Sequence, residues 1–346
     1  MLFSEITGHN KIKDMLIHLA ESNRVGHAYL IEGPYGVGKL SLAKAFAKRL
    51  VCEDSQSGDS CGKCRGCSMC DSQNHPDICI VTNQLYDQSK KSTDILVDTI
   101  RKMKNEVYIK PFLASRKIYI IPKADTMNLY AQNSLLKILE EPPAYCTIIL
   151  LAENINAFLP TILSRVVALK LYPLSDMEVE GYLKENFGNV GSEKIALATK
   201  MCGGSIKKAI ELLENADLQQ LRDKFLDHIF ALFEGRRKSI YDFSLFMRQN
   251  KDEIDFLMNI MRGIFRDILY IKHTGEFDEI VNVDKRVKLE KLSAQIKAKN
   301  ALRMLEILFK YSDYFSKNIG YGIISQCLGL ELWEAINDRG YRSKIQ

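Results

Sequence analysis

Long apolar runs, internal repeats and low-complexity tracts are absent from this 346-residue sequence. No segment approaches the ~18 uninterrupted apolar residues that a membrane span needs, so we expect no membrane insertion. The opening segment MLFSEITGHNKIKDM lacks the basic start and apolar stretch of a secretory signal, so we expect a cytoplasmic protein. A strong excess of positive charge is lacking too. The formal net charge of +5 permits contact with nucleic acid but is low for a dedicated DNA-binding domain.

The composition and the order of the segments indicate a folded α/β protein. Hydrophobic residues make up 46% and charged residues 26% of the chain, as in globular proteins. The apolar runs HAYLIE, DICIV, KIYIIP and CTIILLAE alternate with helical segments, which predicts a parallel sheet flanked by helices. Only helical patterns follow. We therefore predict an α/β domain over 1–171, a small helical domain over 172–216 and a helical bundle of about five helices over 217–346.

A glycine-rich segment, GPYGVGK, follows the first predicted strand. Its spacing matches the pattern G-x-x-x-x-G-K, in which backbone N–H groups cradle phosphates. Apolar residues at helical spacing follow it, which completes the strand, loop and helix that the motif requires. We therefore predict an α/β P-loop fold with Gly33, Gly36, Gly38 and Lys39 at the phosphate position. A plain glycine-rich turn is the alternative.

The residues that magnesium chemistry needs are missing from this motif. Leu40 stands where a hydroxyl should bind the metal ion, and Ser41 comes one residue too late. At the end of the predicted strand KIYII, Pro122 and Lys123 replace the acidic residues of the second motif, and Asp125 lies two or three positions too far along. We therefore expect no intrinsic ATPase activity. We expect ATP or ADP binding to be at most weak.

A cluster of cysteines spans about residues 52–70. Cys52, Cys61, Cys64 and Cys67 can form a tetrahedral site, and a reducing compartment disfavours disulfides, so we predict a structural Zn²⁺ ion. Cys70 extends the same three-residue step and could replace one of these ligands. A redox pair of the C-x-x-C type and unligated thiols are the alternatives.

Several further segments resemble one family, the bacterial clamp-loader ATPases of DNA polymerase III, which are AAA+ proteins. The segments that carry the resemblance are FSEITGHNKIKDML, RVGHAYLIEGPYGVGK, NHPDI, NSLLKILEEPP, LPTILSR, GGSIKKAIEL and SKNIGYGIISQCLGLEL. The likeness covers nearly the whole chain, strongly to about residue 210 and loosely beyond. It implies an AAA+ domain with an inserted zinc module, a helical lid domain and a C-terminal collar domain for oligomerisation.

The resemblance also implies a function. The motor subunits of the family keep Gly-Lys-Thr or Gly-Lys-Ser and an acidic second motif, whereas this chain has neither, which favours a non-catalytic subunit of the loader ring. Such a subunit helps to place the sliding clamp on primed DNA during replication. The implied partners are the motor subunits, the delta subunit and the clamp, with DNA contacted mainly through the complex. An active motor subunit and a stand-alone zinc-containing nucleic-acid-binding protein are the alternatives.

Individual residues acquire roles from the same resemblance. Arg165 follows LPTIL, where the family presents an arginine finger in trans to the ATP of a neighbouring subunit; a solvated surface charge is the alternative. The family usually has an arginine where this chain has Lys208. Glu140 and Glu141 could face a partner subunit or simply end a core-facing helix.

Overall fold

The computed structural model describes residues 1–54, 58–89, 92, 94–316 and 320–337. Part of the predicted cysteine segment (55–57), residues 317–319 of SKNIGYGIISQCLGLEL and residues 338–346 of the predicted collar lie outside the described residues. The chain forms two compact units, Met1–Tyr182 with Gly204–Lys207 and Leu183–Gly203 with Lys208–Gln346. The three-part division at residues 171 and 216 stays a prediction.

The first unit contains a parallel β-sheet. Within the described residues it has five strands in the order β2-β3-β4-β1-β5. The strands are β1 Ala28–Glu32, β2 Ile78–Ile80, β3 Lys117–Ile121, β4 Cys146–Ala152 and β5 Val167–Lys170. The apolar runs predicted the first four strands. They missed β5 because three of its four residues are exposed, so it lacks the apolar run of a buried strand.

Helices cover both faces of this sheet, which explains why β4 is buried throughout and β1 is buried at all but its last residue. Leu30 points to one face and packs in a cluster with Leu135, whereas Ile31 points to the other and packs in a cluster with Leu42 and Phe46. The helices up to residue 186 are α1 Asn10–Glu21, α2 Lys39–Val51, α3 Arg65–Asp71, α4 Asn83–Tyr86, α5 Val97–Val107, α6 Leu129–Glu140, α7 Pro160–Leu163 and α8 Asp176–Asn186.

The rest of the described chain is helical. Its helices are α9 Ser192–Met201, α10 Ile206–Glu214, α11 Ala216–Phe233, α12 Lys238–Gln249, α13 Ile254–Thr274, α14 Arg286–Gln295, α15 Ala298–Ser316 and α16 Tyr321–Asn337. Apolar residues of α11 to α16 share one core. These are six helices where about five were expected, since α14 buries only Leu289 among its apolar residues and gives a weak pattern.

The predicted fold class is therefore confirmed: a parallel-sheet α/β domain with a P-loop is followed by helical parts. None of the described helices combines the length and the apolar character required to cross a membrane.

Candidate phosphate loop, arginine and cysteine centre

The phosphate loop connects β1 to α2. The N–H of Gly33 donates to the carbonyl oxygen of Ala152 at 3.1 Å, which ties the start of the loop to the end of β4. Gly36 and Gly38 have φ angles of 75° and 102°, which favour glycine. A Cβ atom at Gly36 would lie 2.2 Å from Ser205 Oγ, so a larger residue does not fit there. All three predicted glycines thus occupy the loop.

The side chain of Lys39 folds back over this loop. Its Nζ donates to the carbonyl oxygens of Gly33 at 2.5 Å and Pro34 at 2.7 Å. Burial lowers the pKa of Lys39, and the nearby Glu153 and Asp125 oppose that change. The predicted lysine is therefore at the loop, where its hydrogen bonds go to the carbonyls of the loop itself.

The two residues that directly follow β3, at the position of the second motif, carry no carboxylate. Pro122 and Lys123 follow β3, and Lys123 has the unusual φ angle of 49°. The carboxylate of Asp125 accepts N–H bonds from Glu153 at 2.8 Å and Asn154 at 3.1 Å. Asp125 therefore holds the segment after β4.

A lysine that no sequence motif indicated contacts the phosphate loop. The N–H of Lys207 donates to the carbonyl oxygen of Gly36 at 3.4 Å, and its Nζ lies 4.7 Å from the centre of the Tyr35 ring. Lys208, which stands where the family usually has an arginine, belongs to the second compact unit. The sequence feature that could have indicated Lys207 is the Gly-Ser turn before it. Gly204, at φ 77°, and Ser205 place the residues that follow them against the phosphate loop.

Arg165 lies between α7 and β5. Its Nη1 donates to Thr161 O at 2.9 Å and to Ser164 Oγ at 3.2 Å, and its Nη2 lies 3.2 Å from Glu140 Oε1. The side chain is 36% exposed. Glu140, the first glutamate of the LEEPP segment, is therefore the acidic partner of Arg165 in its own chain.

Gln132 fixes the segment that leads to Arg165. Its side chain is buried on α6 and donates to the carbonyl oxygens of Met127 at 3.0 Å and Ala157 at 2.8 Å. Its Oε1 accepts the N–H of Leu159 at 2.9 Å. No sequence motif indicated this residue. The sequence feature that could have indicated Gln132 is an amide side chain among the core-facing leucines of α6, because a buried amide needs hydrogen-bond partners.

The structure brings four of the predicted metal ligands together. The Sγ atoms of Cys52, Cys61, Cys64 and Cys67 all lie within 4.8 Å of one another, and those of Cys61 and Cys67 are 3.9 Å apart. N–H groups point at the sulfurs: Cys61 donates to Cys52 at 3.3 Å, Cys64 to Cys61 at 3.3 Å and Cys67 to Cys64 at 3.4 Å. Donors from Lys63 and Cys64 lower the pKa of Cys61 to about 6, whereas burial raises that of Cys67.

These distances fit a tetrahedral metal ion. A Zn–S bond of about 2.3 Å corresponds to a separation of about 3.8 Å between sulfurs, close to the distance between Cys61 and Cys67. Cys70 lies outside this group, on α3, and burial raises the pKa of its thiol to about 11. The four-cysteine cluster can therefore hold a metal ion without Cys70.

Comparison with known proteins identifies the family. Residues 8–175 match the family model described as DNA polymerase III, delta subunit, and residues 216–324 match DNA polymerase III, delta subunit, C terminal. The DNA polymerase III subunit delta-prime of Bacillus subtilis is 30% identical over 280 residues, which cover 79% of this chain and 80% of that protein. The chain belongs to the delta-prime-like clamp-loader subunits of DNA polymerase III. The AAA+ fold class is confirmed with it.

Other clamp-loader proteins are similar as well. The tau subunit of Bacillus subtilis is 27% identical over 332 residues, which cover 89% of this chain but only 57% of that longer protein. The delta-prime subunit of Pseudomonas aeruginosa is 35% identical over 141 residues, 41% of this chain and 42% of that protein. A gamma subunit-related protein from Thermotoga maritima aligns over 94% of this chain and 99% of its own at 18% identity, with a TM-score of 0.44.

Proposed function

We propose that this clamp-loader subunit is of the delta-prime type and does not hydrolyse ATP. The observation that carries the proposal is the phosphate loop, which keeps its glycines and Lys39 but has Leu40 in place of the metal-binding hydroxyl. The second motif has Pro122 and Lys123, and the nearby Asp125 is engaged by backbone N–H groups. Both ligands that hold Mg²⁺ on ATP in P-loop enzymes are thus replaced.

We expect this loop to bind nucleotide at most weakly, for a physical reason. An incoming phosphate must compete with the carbonyl oxygens of Gly33 and Pro34 for the ammonium of Lys39. Without a magnesium ion, much of the phosphate charge would stay unneutralised. The loop then serves the fold and the ring more than catalysis.

The purified chain is expected to hydrolyse ATP no faster than background, with or without primed DNA. A steady-state assay of phosphate release is the direct test, with Lys39→Ala as the matched control because it removes the one loop cation that is retained. Turnover that disappears in Lys39→Ala would assign the chain to the motor subunits instead.

The second part of the proposal concerns partners. As a delta-prime subunit the chain would join motor subunits and a delta subunit in a cytoplasmic loader ring that places the sliding clamp on primed DNA. Arg165 would then act as an arginine finger in trans, stabilising charge on the phosphoryl group at a neighbouring motor site. Its exposure and its place at the end of α7 support this role.

The cysteine cluster completes the proposal with one structural Zn²⁺ ion per chain. Cys52, Cys61, Cys64 and Cys67 would hold it as thiolates, and four protein ligands leave no open position for catalysis. The ion would cross-link the segment between α2 and α3. This assignment follows from the donor set and the sulfur distances.

A further inference from the structure

Strand β2 forms one edge of the sheet and leaves part of its backbone unpaired. Within the described residues it pairs with β3 alone. The carbonyl oxygen of Asp77 accepts the N–H of Ile118 at 2.8 Å, and the N–H of Val81 donates to β3 at 2.8 Å. Because the backbone groups of a strand alternate in direction, those of Ile78 and Ile80 point away from β3. Across the part of the chain that the structure describes, the N–H of Ile80 and the carbonyl oxygens of Ile78 and Ile80 have no hydrogen-bond partner.

A cavity of about 740 Å³ surrounds this edge and reaches both faces of the sheet. Ile78 and Cys79 both line it, and their side chains belong to clusters on opposite faces. Lys44 of α2 lines the cavity on the Ile78 face, and Tyr86 of α4 lines it on the Cys79 face. An added strand needs room of this kind, because its side chains project alternately to the two faces of a sheet.

The two faces of the cavity differ in chemistry. On the Ile78 face, Lys48 is paired with Asp71 at 2.7 Å, whereas Lys44 has no ion pair or hydrogen bond to any described residue. On the other face, Tyr86 presents its ring beside Leu85, which lines the same cavity and is 50% exposed. The first face therefore favours an acidic side chain, and the second favours an apolar one.

The unpaired edge selects the class of ligand. Backbone N–H and carbonyl groups at strand spacing are matched by another extended backbone, for which an open edge is a template. We propose that β2 accepts an extended peptide segment of a partner protein as an added strand, with an acidic side chain towards Lys44 and an apolar side chain towards Tyr86. This site goes beyond the proposed clamp-loader role and does not depend on it.

A direct binding assay uses the full chain and a short fluorescently labelled peptide in which valine and aspartate alternate. Anisotropy should show saturable binding. The same peptide, methylated at the backbone nitrogens of every second residue, should bind at least about tenfold more weakly in the register that loses its donors to β2, because two or three backbone bonds are lost. A peptide of alternating valine and lysine should also bind more weakly, since it places an ammonium group beside Lys44.

Hydrogen exchange locates the peptide on the sheet. In protein labelled with ¹⁵N-isoleucine, the N–H of Ile80 should exchange readily in the chain alone and about tenfold more slowly with saturating valine–aspartate peptide. The N–H of Ile118 is the control in the same sample. It donates to Asp77 within the sheet, so it should be protected with and without peptide.

Substitutions test the same edge from the side of the protein. Ile80→Pro removes the outward N–H, a change that edge strands tolerate, and should abolish peptide binding. Ile80→Ala is the matched control, because it also loses the side chain but keeps the N–H, and it should still bind. Lys44→Gln should weaken binding about two- to fivefold. Lys299→Gln, an exposed lysine of the second unit, should leave binding unchanged.

Three results would overturn this proposal. The first is that the valine–aspartate peptide does not bind. The second is binding that neither backbone methylation nor Ile80→Pro weakens. The third is a dimer of the chain alone that Ile80→Pro dissociates, which would make a second copy the occupant of the edge. If thermal melting shows that Ile80→Pro is unfolded, the methylated peptide and the exchange of Ile80 decide the question. None of these results affects the ATPase assay, so the delta-prime assignment can fail or stand separately.

Discussion

Arg165 is held weakly in its own chain. Its guanidinium forms an ion pair with Glu140 and donates a hydrogen bond to the carbonyl oxygen of Thr161 on α7. Both side chains of the ion pair are substantially exposed. Such a surface pair contributes roughly 0–1 kcal/mol, because water screens both charges. A phosphoryl group of bound ATP, with more charge, can therefore attract the guanidinium away from Glu140.

Replacement of Arg165 with alanine should leave folding and ring assembly intact and slow hydrolysis at one neighbouring motor site. An arginine finger is worth roughly 10³–10⁵ in rate at its own site. The total rate of the ring should fall only in part, since other sites keep their own arginines, while clamp loading should suffer more. Reconstituted rings assayed for ATP hydrolysis and clamp loading provide the measurement.

Two variants separate the finger from a surface charge. Arg165→Lys should recover little, because an ammonium lacks the planar fork that grips two phosphate oxygens. Glu140→Gln is the matched control: it breaks the same ion pair but leaves the guanidinium. If Arg165→Ala rings hydrolyse ATP and load clamps at the unmodified rate, Arg165 has no role in trans.

The segment between α2 and α3 is the element that depends on the cysteine cluster. In its described part, the carbonyl oxygen of Gly58 accepts a bond from Arg49 Nε of α2 at 3.2 Å, and the carboxylate of Asp59 accepts bonds from the N–H and hydroxyl of Ser4 at 3.0 and 3.1 Å. Short segments with few apolar contacts rarely keep one conformation without a cross-link. A bound Zn²⁺ ion supplies that cross-link.

Elemental analysis of protein purified without added metal should find one zinc per chain. Cys61→Ser should lose most of it, because a hydroxyl is a poor zinc ligand at neutral pH. Cys70→Ser is the matched control and should keep the full content, since Cys70 lies outside the cluster. A zinc content near zero in reduced, folded protein, or an equal loss in both variants, would contradict the assignment.

At the scale of the whole molecule, the chain combines a phosphate loop that lacks its metal ligands with a helical bundle that has its own core. If the loop is a structural part of the ring, nucleotide chemistry in this chain should not matter to loading. Lys39→Ala should therefore co-elute with the motor and delta subunits and load clamps at the unmodified rate. Gel filtration and a clamp-loading assay of the reconstituted ring test this.

The matched control places the same change in the phosphate-loop lysine of a motor subunit, which should abolish or strongly reduce loading. A comparable loss from Lys39→Ala would show that this chain also uses a nucleotide. Loss of assembly alone would show that Lys39 supports the fold of the loop through the carbonyls of Gly33 and Pro34.

The sequence by itself determined the features that depend on spacing along the chain. The phosphate loop is a strand, a turn and a helix in succession, so Gly33, Gly38 and Lys39 could be recognised without a fold. The replacement of the metal ligands is equally visible, because it concerns residue types at known offsets. The cysteine cluster belongs here too: three of its ligands are three residues apart, and short-range geometry brings their sulfurs together.

Only the tertiary structure decided which distant residues meet. The contact of Lys207 with the phosphate loop, the pair of Glu140 with Arg165 and the bond from Gln132 to the segment before α7 join residues far apart in sequence. The carboxylate of Asp77 accepts the N–H of Phe112, which lies 35 residues further along the chain. Neither periodicity nor spacing carries such information, because these partners are brought together by the order of strands in the sheet and by packing across it.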